Sequence, residues 1–342
     1  MTSAYQFVLE LFRDDGAALE QVPLAPDWEP AVESTRLGRL RALGDWIATS
    51  DAGQHVEPLW HTDTGEPYVR GFRVHLADPQ GRDWAQDFDA PAYFSDAVRM
   101  ASARLVQSGA LAAGALVRFR TAAFAHDDNG ASTHALRFDT TEQPTPLGLR
   151  ETPIGDLLAQ STQCGEPCVD DVAVLIPQRV VDEATTQTLS DPQRETGGIL
   201  IGHLHRDPVT AEVFVGVTAQ IPARHTAGEA TKLTFTSETW TDVRHTIALR
   251  RSDEQILGWW HSHPAGEWCK TCPPERQRVC QLQAGFFSDD DKALHRTVFS
   301  RGYTVALVMT NALAGVTPAM FGWRSGLIQP RAFRLLADHV LL

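Results

Sequence analysis

Residues 258 to 272 read GWWHSHPAGEWCKTC, and three residue types there could do chemistry. His261 and His263 are two apart. In a strand, alternate side chains share a face, so both imidazoles point the same way while Ser262 points to the other side. Two imidazoles at one strand end can share a metal ion. A tetrahedral zinc centre of catalytic type needs a third protein ligand and leaves its fourth position to water. The start of the next element offers that ligand: in FFSDDDKALH, Ser288 stands at the N-cap position of a helix and Asp291 follows three residues later. Ser-x-x-Asp is equally an ordinary capping box, which would explain the same residues without any metal. A second pair of the same spacing, His203 and His205 in GHLHRDP, runs into an Arg-Asp-Pro turn with no capped acidic helix behind it, so it is expected not to bind metal.

Upstream, RETGGILIG places Glu195 just before a strand that opens with Gly197 and Gly198. The pieces then run Glu, His-Ser-His-Pro, Ser-x-x-Asp, and in this order the chain resembles the JAMM (MPN+, JAB domain) zinc metalloproteases over about residues 170 to 330. The resemblance implies a cytidine-deaminase-like mixed α/β sheet flanked by helices. It implies that His261, His263 and Asp291 hold a catalytic Zn²⁺, that Glu195 is the general base on the zinc-bound water, and that Ser288 hydrogen-bonds the oxyanion. It further implies an isopeptidase or peptidase cleaving after the Gly-Gly tail of a ubiquitin-like protein. The partners would be that protein and its conjugates, with the enzymes of a bacterial conjugation pathway of the kind linked to antiviral defence. Two other readings stay open: a peptidase of this fold that processes a sulfur-carrier protein, and a non-catalytic MPN scaffold.

The chain departs from that family between Pro264 and Ser288, where an insertion at 265–287 replaces a short loop and carries Cys269, Cys272 and Cys280. Its few apolar residues could not build a core, so a structural metal is expected as a staple. The fourth ligand would come from Cys164, Cys168 or His295, and the sequence does not choose among them. A thioredoxin-like redox pair at CKTC and unliganded thiols are the alternatives. All five cysteines lie between 164 and 280, so the first half cannot form a thioester through cysteine.

The elements that must position these residues follow from pattern. DVAVLIP, TGGILIGHL, AEVFVGVTAQI, EQILGWWHSH, YTVALVMT and AMFGWRS read as strands. QRVVDEATTQTL, TSETWTDVRHTIAL and SDDDKALHRTVF read as helices. Together they make one mixed α/β domain over 170–342. Ahead of it, residues 1–140 read as an α+β docking or substrate-binding domain. Its signals are a strand at YQFVLELF, a helix from Ser95, the expected N-cap, to about Ala113, and a strand at VRFRTAAF. In that last strand Val117, Phe119 and Thr121 share one face. Residues 141–169, with EQPTPLGLRETP, read as the linker.

At 342 residues and 43% hydrophobic content, the chain suits two domains. Thirty basic against 43 acidic side chains give a formal charge of −13, which repels phosphate backbones and argues against nucleic acid as a principal partner. The N-terminus lacks a basic n-region and an apolar h-region, and no stretch approaches the roughly 20 apolar residues of a membrane span. A cytoplasmic protein with no membrane partner is expected.

Overall fold

A computed structural model describes residues 4–44, 46, 54–62, 67–77, 81–125, 147–223, 235–278, 280–338 and 340. The chain divides into two compact units, Met1–Arg39 with Trp46–Pro146, and Leu40–Asp45 with Leu147–Leu342.

The first unit contains β1 (Tyr5–Arg13), β2 (Ala18–Pro23), α1 (Glu29–Leu43, whose last residues group with the second unit), β3 (Gln54–His61), β4 (Tyr68–Ala77), β5 (Asp83–Asp89), α2 (Ala90–Tyr93), α3 (Ser95–Gln107) and β6 (Val117–Ala125). Its antiparallel sheet runs β2-β1-β6-β4-β3, with β5 pairing with residues 71–77 of β4 beyond the single Val69–Thr121 pair to β6. Alternation in YQFVLELF buries Phe7, Leu9 and Leu11, and Leu11 and Leu9 pair with Phe119 and Thr121 of β6. The helix at Ser95 ends at Gln107, short of Ala113, where Gly109 takes a positive φ of 77°. Ser95 is not its cap. Phe94 holds that position without a side-chain bond, and the capping carboxylate belongs to Asp89, which accepts from Ala92 N at the start of α2.

The second unit contains β7 (Leu149–Glu151), α4 (Ile154–Ala159), β8 (Ser161–Cys164), β9 (Ala173–Pro177), α5 (Gln178–Ser190), β10 (Gly197–Arg206), β11 (Val213–Pro222), α6 (Ser237–Arg250), β12 (Gln255–His263), α7 (Ala265–Trp268), α8 (Pro274–Arg278), α9 (Asp289–Val298), β13 (Val305–Ala312), β14 (Gly315–Arg324), β15 (Leu327–Arg331) and β16 (Phe333–Leu336). Its mixed sheet runs β15-β14-β13-β12-β10-β11-β9-β16-β8, with β7 beside β10. The sheet curls: Asp171, just ahead of β9, receives both Arg324 and Arg331 from the far strands. The expected linker is therefore corrected. Residues 141–146 lie outside the described residues, but from Leu149 to Cys164 the segment supplies two strands and a helix of this unit.

Two central strands carry the motif. β10 and β12 are buried on both faces, which is why ILIGHL and ILGWW read as near-continuous apolar runs. One face packs Ile199, Trp259, Ala306 and Val308 against Val243 of α6, Leu294 of α9, Phe287 and Phe299. His261 and His263 continue the Trp259 face of β12, so they emerge where α9 begins. The phase is set by a bulge at Leu257, since Leu200 pairs with Gly258 and Ile201 with Ile256. Gly258 is obligatory there: its φ is 153° and a Cβ would lie 1.8 Å from Val305 O on the neighbouring strand.

Candidate metal centre

His261 Nε2 and His263 Nε2 approach to 2.9 Å. Asp291 Oδ1 lies 3.2 Å from the first, and Asp291 Oδ2 lies 3.6 Å from the second. All three residues are buried. A tetrahedral centre with bonds of about 2.0 to 2.1 Å has edges of about 3.3 Å, and the three separations bracket that value. Imidazole nitrogens and a carboxylate are also the donor set zinc accepts. These residues therefore fit a zinc ion as three of its four tetrahedral ligands.

The capping box and the candidate ligand are one arrangement. Ser288 Oγ accepts from Asp291 N at 3.1 Å, and Asp291 Oδ2 accepts from Ser288 N at 2.8 Å. The reciprocal bonds lock the Asp291 rotamer and leave Oδ1 turned to His261. Burial pushes the Asp291 carboxyl up, but the His261 and His263 rings and Ser288 outweigh it and hold it far below the usual carboxylate range. Burial lowers the His263 pKa; Asp291 opposes this and the charge of His261 adds to it. An ionised carboxylate is the form of Asp291 that a cation needs.

Glu195 stands two residues before the start of the paired register, in which Gly197 faces His261. Continued outward, that register sets Glu195 opposite His263 and on the same face. It is braced there: Ser262 N donates to Thr196 O at 2.8 Å, and Thr196 N donates to Ser262 Oγ at 2.9 Å. Gly198 permits the approach on the other face, where a Cβ would stand 2.6 Å from Trp260 Nε1.

Aromatic rings wall the site. Trp259 stacks on His261 at 4.4 Å, while Phe286 and Trp268 from the insertion lie 4.4 and 5.4 Å from the His263 ring. The sequence reading missed these walls and the Thr196–Ser262 brace; the facing register of ETGG and HSHP would have pointed to the brace. Trp259 Nε1 also donates to His295 Nδ1 at 3.1 Å. His295 is fully buried among Trp259, Phe299 and Trp323, and burial pushes its pKa down to about 3. It is a core histidine and not a ligand for the insertion.

The cysteines are only partly brought together. Cys269 Sγ and Cys280 Sγ are 3.4 Å apart, but Cys272 does not join them in any three-ligand cluster among the described residues. Cys168 sits beside Asp171, which Arg324 grips at one end of β14, whereas Gly266 of the insertion packs on Asn311, which pairs with Val316 at the other end. That is eight strand residues, about 26 Å. Cys164 pairs with Phe333 on β16, nearer the opposite edge of the sheet. Among the described residues, none of the three expected fourth ligands forms a cluster with the cysteines of the insertion. The segment is instead held by glutamine side chains: Gln277 Nε2 donates to Cys269 O and Cys272 O, and Gln283 bridges Ala265 O and Leu313 N. The pair His203 and His205 is buried with other partners, Ser252 O and Thr152 Oγ1, as expected of structural histidines.

Residues 177–268 match the family of prokaryotic homologs of the JAB domain. The match lies within the second unit. The matched span includes Glu195, His261 and His263 and stops before Ser288 and Asp291. A JAB domain leaves a peptidase or a scaffold of the same fold as the coarse alternatives. A search of curated proteins finds no match. The solution structure of protein DSY2949 from Desulfitobacterium hafniense is similar over 48% of this chain and 96% of its own, at 15% identity and a TM-score of 0.33. No described helix is long and apolar enough to cross a membrane, which says nothing of β-barrels.

Proposed function

We propose that the JAB domain is a zinc-dependent isopeptidase or peptidase that cuts after the Gly-Gly tail of a ubiquitin-like protein. The observation that carries this reading is the convergence of His261, His263 and Asp291 within one ligand sphere. A scaffold needs only the Ser288–Asp291 capping box; it gives no reason for two imidazoles to converge on the same carboxylate. Zinc bound there would act as a Lewis acid and bring the pKa of a water ligand to about 7.

The remaining steps belong to the chain. His261 and His263 offer Nε2, and Asp291 offers the oxygen its capping bonds leave over. A Glu195 carboxylate oxygen takes a proton from the attacking water and returns it to the leaving nitrogen. The Ser288 oxygen already accepts from Asp291 N, so its O–H is left to donate to the developing oxyanion. Phe286 and Trp268 crowd His263 and narrow the approach. A tail without side chains suits an approach narrowed in this way, while Gly-Gly itself rests on the resemblance to the JAMM metalloproteases. The close thiols of Cys269 and Cys280 support a second, structural zinc in the insertion, with Cys272 drawn in as a further ligand.

The test is a fusion in which a ubiquitin-like protein ending in Gly-Gly precedes a reporter. Zinc-loaded protein should release the reporter after the second glycine, and His261→Ala should lose one equivalent of zinc together with the cleavage. Full cleavage by a zinc-depleted His261→Ala protein would remove the metal from the reaction.

A further inference from the structure

The first unit holds a second convergence of ligands. His55 and Glu57 are two apart on β3 and share a face, and His75 on β4 is the direct cross-strand partner of His55. One ligand atom from each of the three lies within 4.8 Å of the other two. Glu57 Oε1 is 3.1 Å from His75 Nε2. That is close to the edge length of about 3.3 Å between two ligands of one first-row ion. On the other side of the ring, Asp83 Oδ2 stands 2.9 Å from His75 Nδ1. This is the place of the outer carboxylate that fixes the tautomer and orientation of a metal-ligating imidazole. The His55 ring lies parallel to that of His75, with centroids 4.1 Å apart. His55 is exposed, so rotation about its side-chain bonds can turn a nitrogen toward the same point.

The nearest competitor for Glu57 is Arg73, its cross-strand partner. Asp87 already engages that guanidinium through two hydrogen bonds, at 2.6 and 2.9 Å, and the closest approach of Arg73 to Glu57 is 3.9 Å. Glu57 therefore keeps an oxygen to offer. Two imidazoles and one carboxylate suit the borderline ions Zn²⁺, Ni²⁺, Cu²⁺ and Co²⁺ better than Ca²⁺ or Mg²⁺.

We propose that His55, Glu57 and His75 form a divalent transition-metal site on the first unit, with Asp83 orienting His75 and water completing the coordination. The site is independent of the proposed peptidase centre, and three protein ligands at a solvent-accessible position make it one that exchanges its ion readily. Its rival is a proton. Burial lowers the His75 pKa, but the contacts with Asp83 and Glu57 outweigh it and raise the value. A protonated His75 held between two carboxylates would account for the same distances.

Titration of the full chain with Co²⁺, followed by visible absorption, separates the two. His55→Ala and His75→Ala should each bind one equivalent less than wild type. The band lost should be that of a nitrogen and oxygen site, without sulfur-to-metal charge transfer. His261→Ala should lose a different equivalent and keep this one. Asp83→Asn should keep the stoichiometry and weaken this site by about 10- to 100-fold. Because His55 is exposed, its replacement leaves the unit folded, so unchanged stoichiometry and spectrum in His55→Ala would overturn the proposal. It would leave the rival, a proton-bridged Glu57–His75–Asp83 network.

Discussion

The proposed centre makes Asp291 both cap and ligand and Ser288 a cap alone, and this difference can be measured as stability. In chelator, Ser288→Ala loses the bond from Asp291 N and Asp291→Ala loses the bond from Ser288 N. Each should lower stability by about 1 kcal/mol, the usual effect of losing a cap. With free zinc at about 1,000 times its dissociation constant, wild type should gain about 4 kcal/mol. Ser288→Ala should gain nearly as much. If losing one of three ligands weakens binding about 1,000-fold, Asp291→Ala should gain only about 0.4 kcal/mol. Zinc held elsewhere in the chain contributes equally to all three proteins and cancels in the differences. Urea unfolding read by tryptophan fluorescence suits the comparison, because Trp259 stacks on His261. An equal zinc gain in Asp291→Ala and wild type would refute the ligand assignment, and no gain in Ser288→Ala would mean that the cap and the ligand cannot be separated.

Three further outcomes follow. Gly258→Ala should lower stability by about 3 kcal/mol or more, because its Cβ meets Val305 O at a positive φ; a urea midpoint like that of wild type would show that the bulge is not required. His295 is neutral in the fold, with its pKa down at about 3 against 6.5 unfolded, so its contribution to stability is full above pH 6.5 and is lost as pH falls toward 3. The loss at pH 5 is about 2 kcal/mol, and urea midpoints should fall less steeply between pH 7.5 and 5 in His295→Gln, which can still accept from Trp259. Replacing Cys269, Cys272 and Cys280 by serine should remove one zinc equivalent from protein purified without added metal; unchanged zinc would leave the insertion ordered by packing and by the bonds of Gln277 and Gln283.

Much of the centre was legible because its spacing is covalent. His-Ser-His on a strand and Ser-x-x-Asp at a helix start fix directions within a few residues, and only the meeting of β12 with α9 had to be supplied by the fold. What escaped depends on distant pairing. β8 and β16 are four-residue strands whose partners are set by the curl of the sheet, Phe333 meeting Cys164 across 169 residues of chain, so the local proline signal made the first of them look like linker. The glutamine bonds that tie the insertion to backbone carbonyls carry no periodic signature. His55, Glu57 and His75 lie on two strands, and Pro58 breaks the pattern of the first. Only the register that puts His75 opposite His55 makes them a cluster.

The most direct measurement of the central claim compares wild type with Glu195→Gln on the same Gly-Gly fusion, with zinc content determined on both samples. The account has Glu195 moving protons without holding the ion, so the variant should retain its zinc while turnover falls by about 10² to 10⁴. Loss of zinc in Glu195→Gln would make Glu195 a ligand, and wild-type turnover at full zinc occupancy would contradict the mechanism.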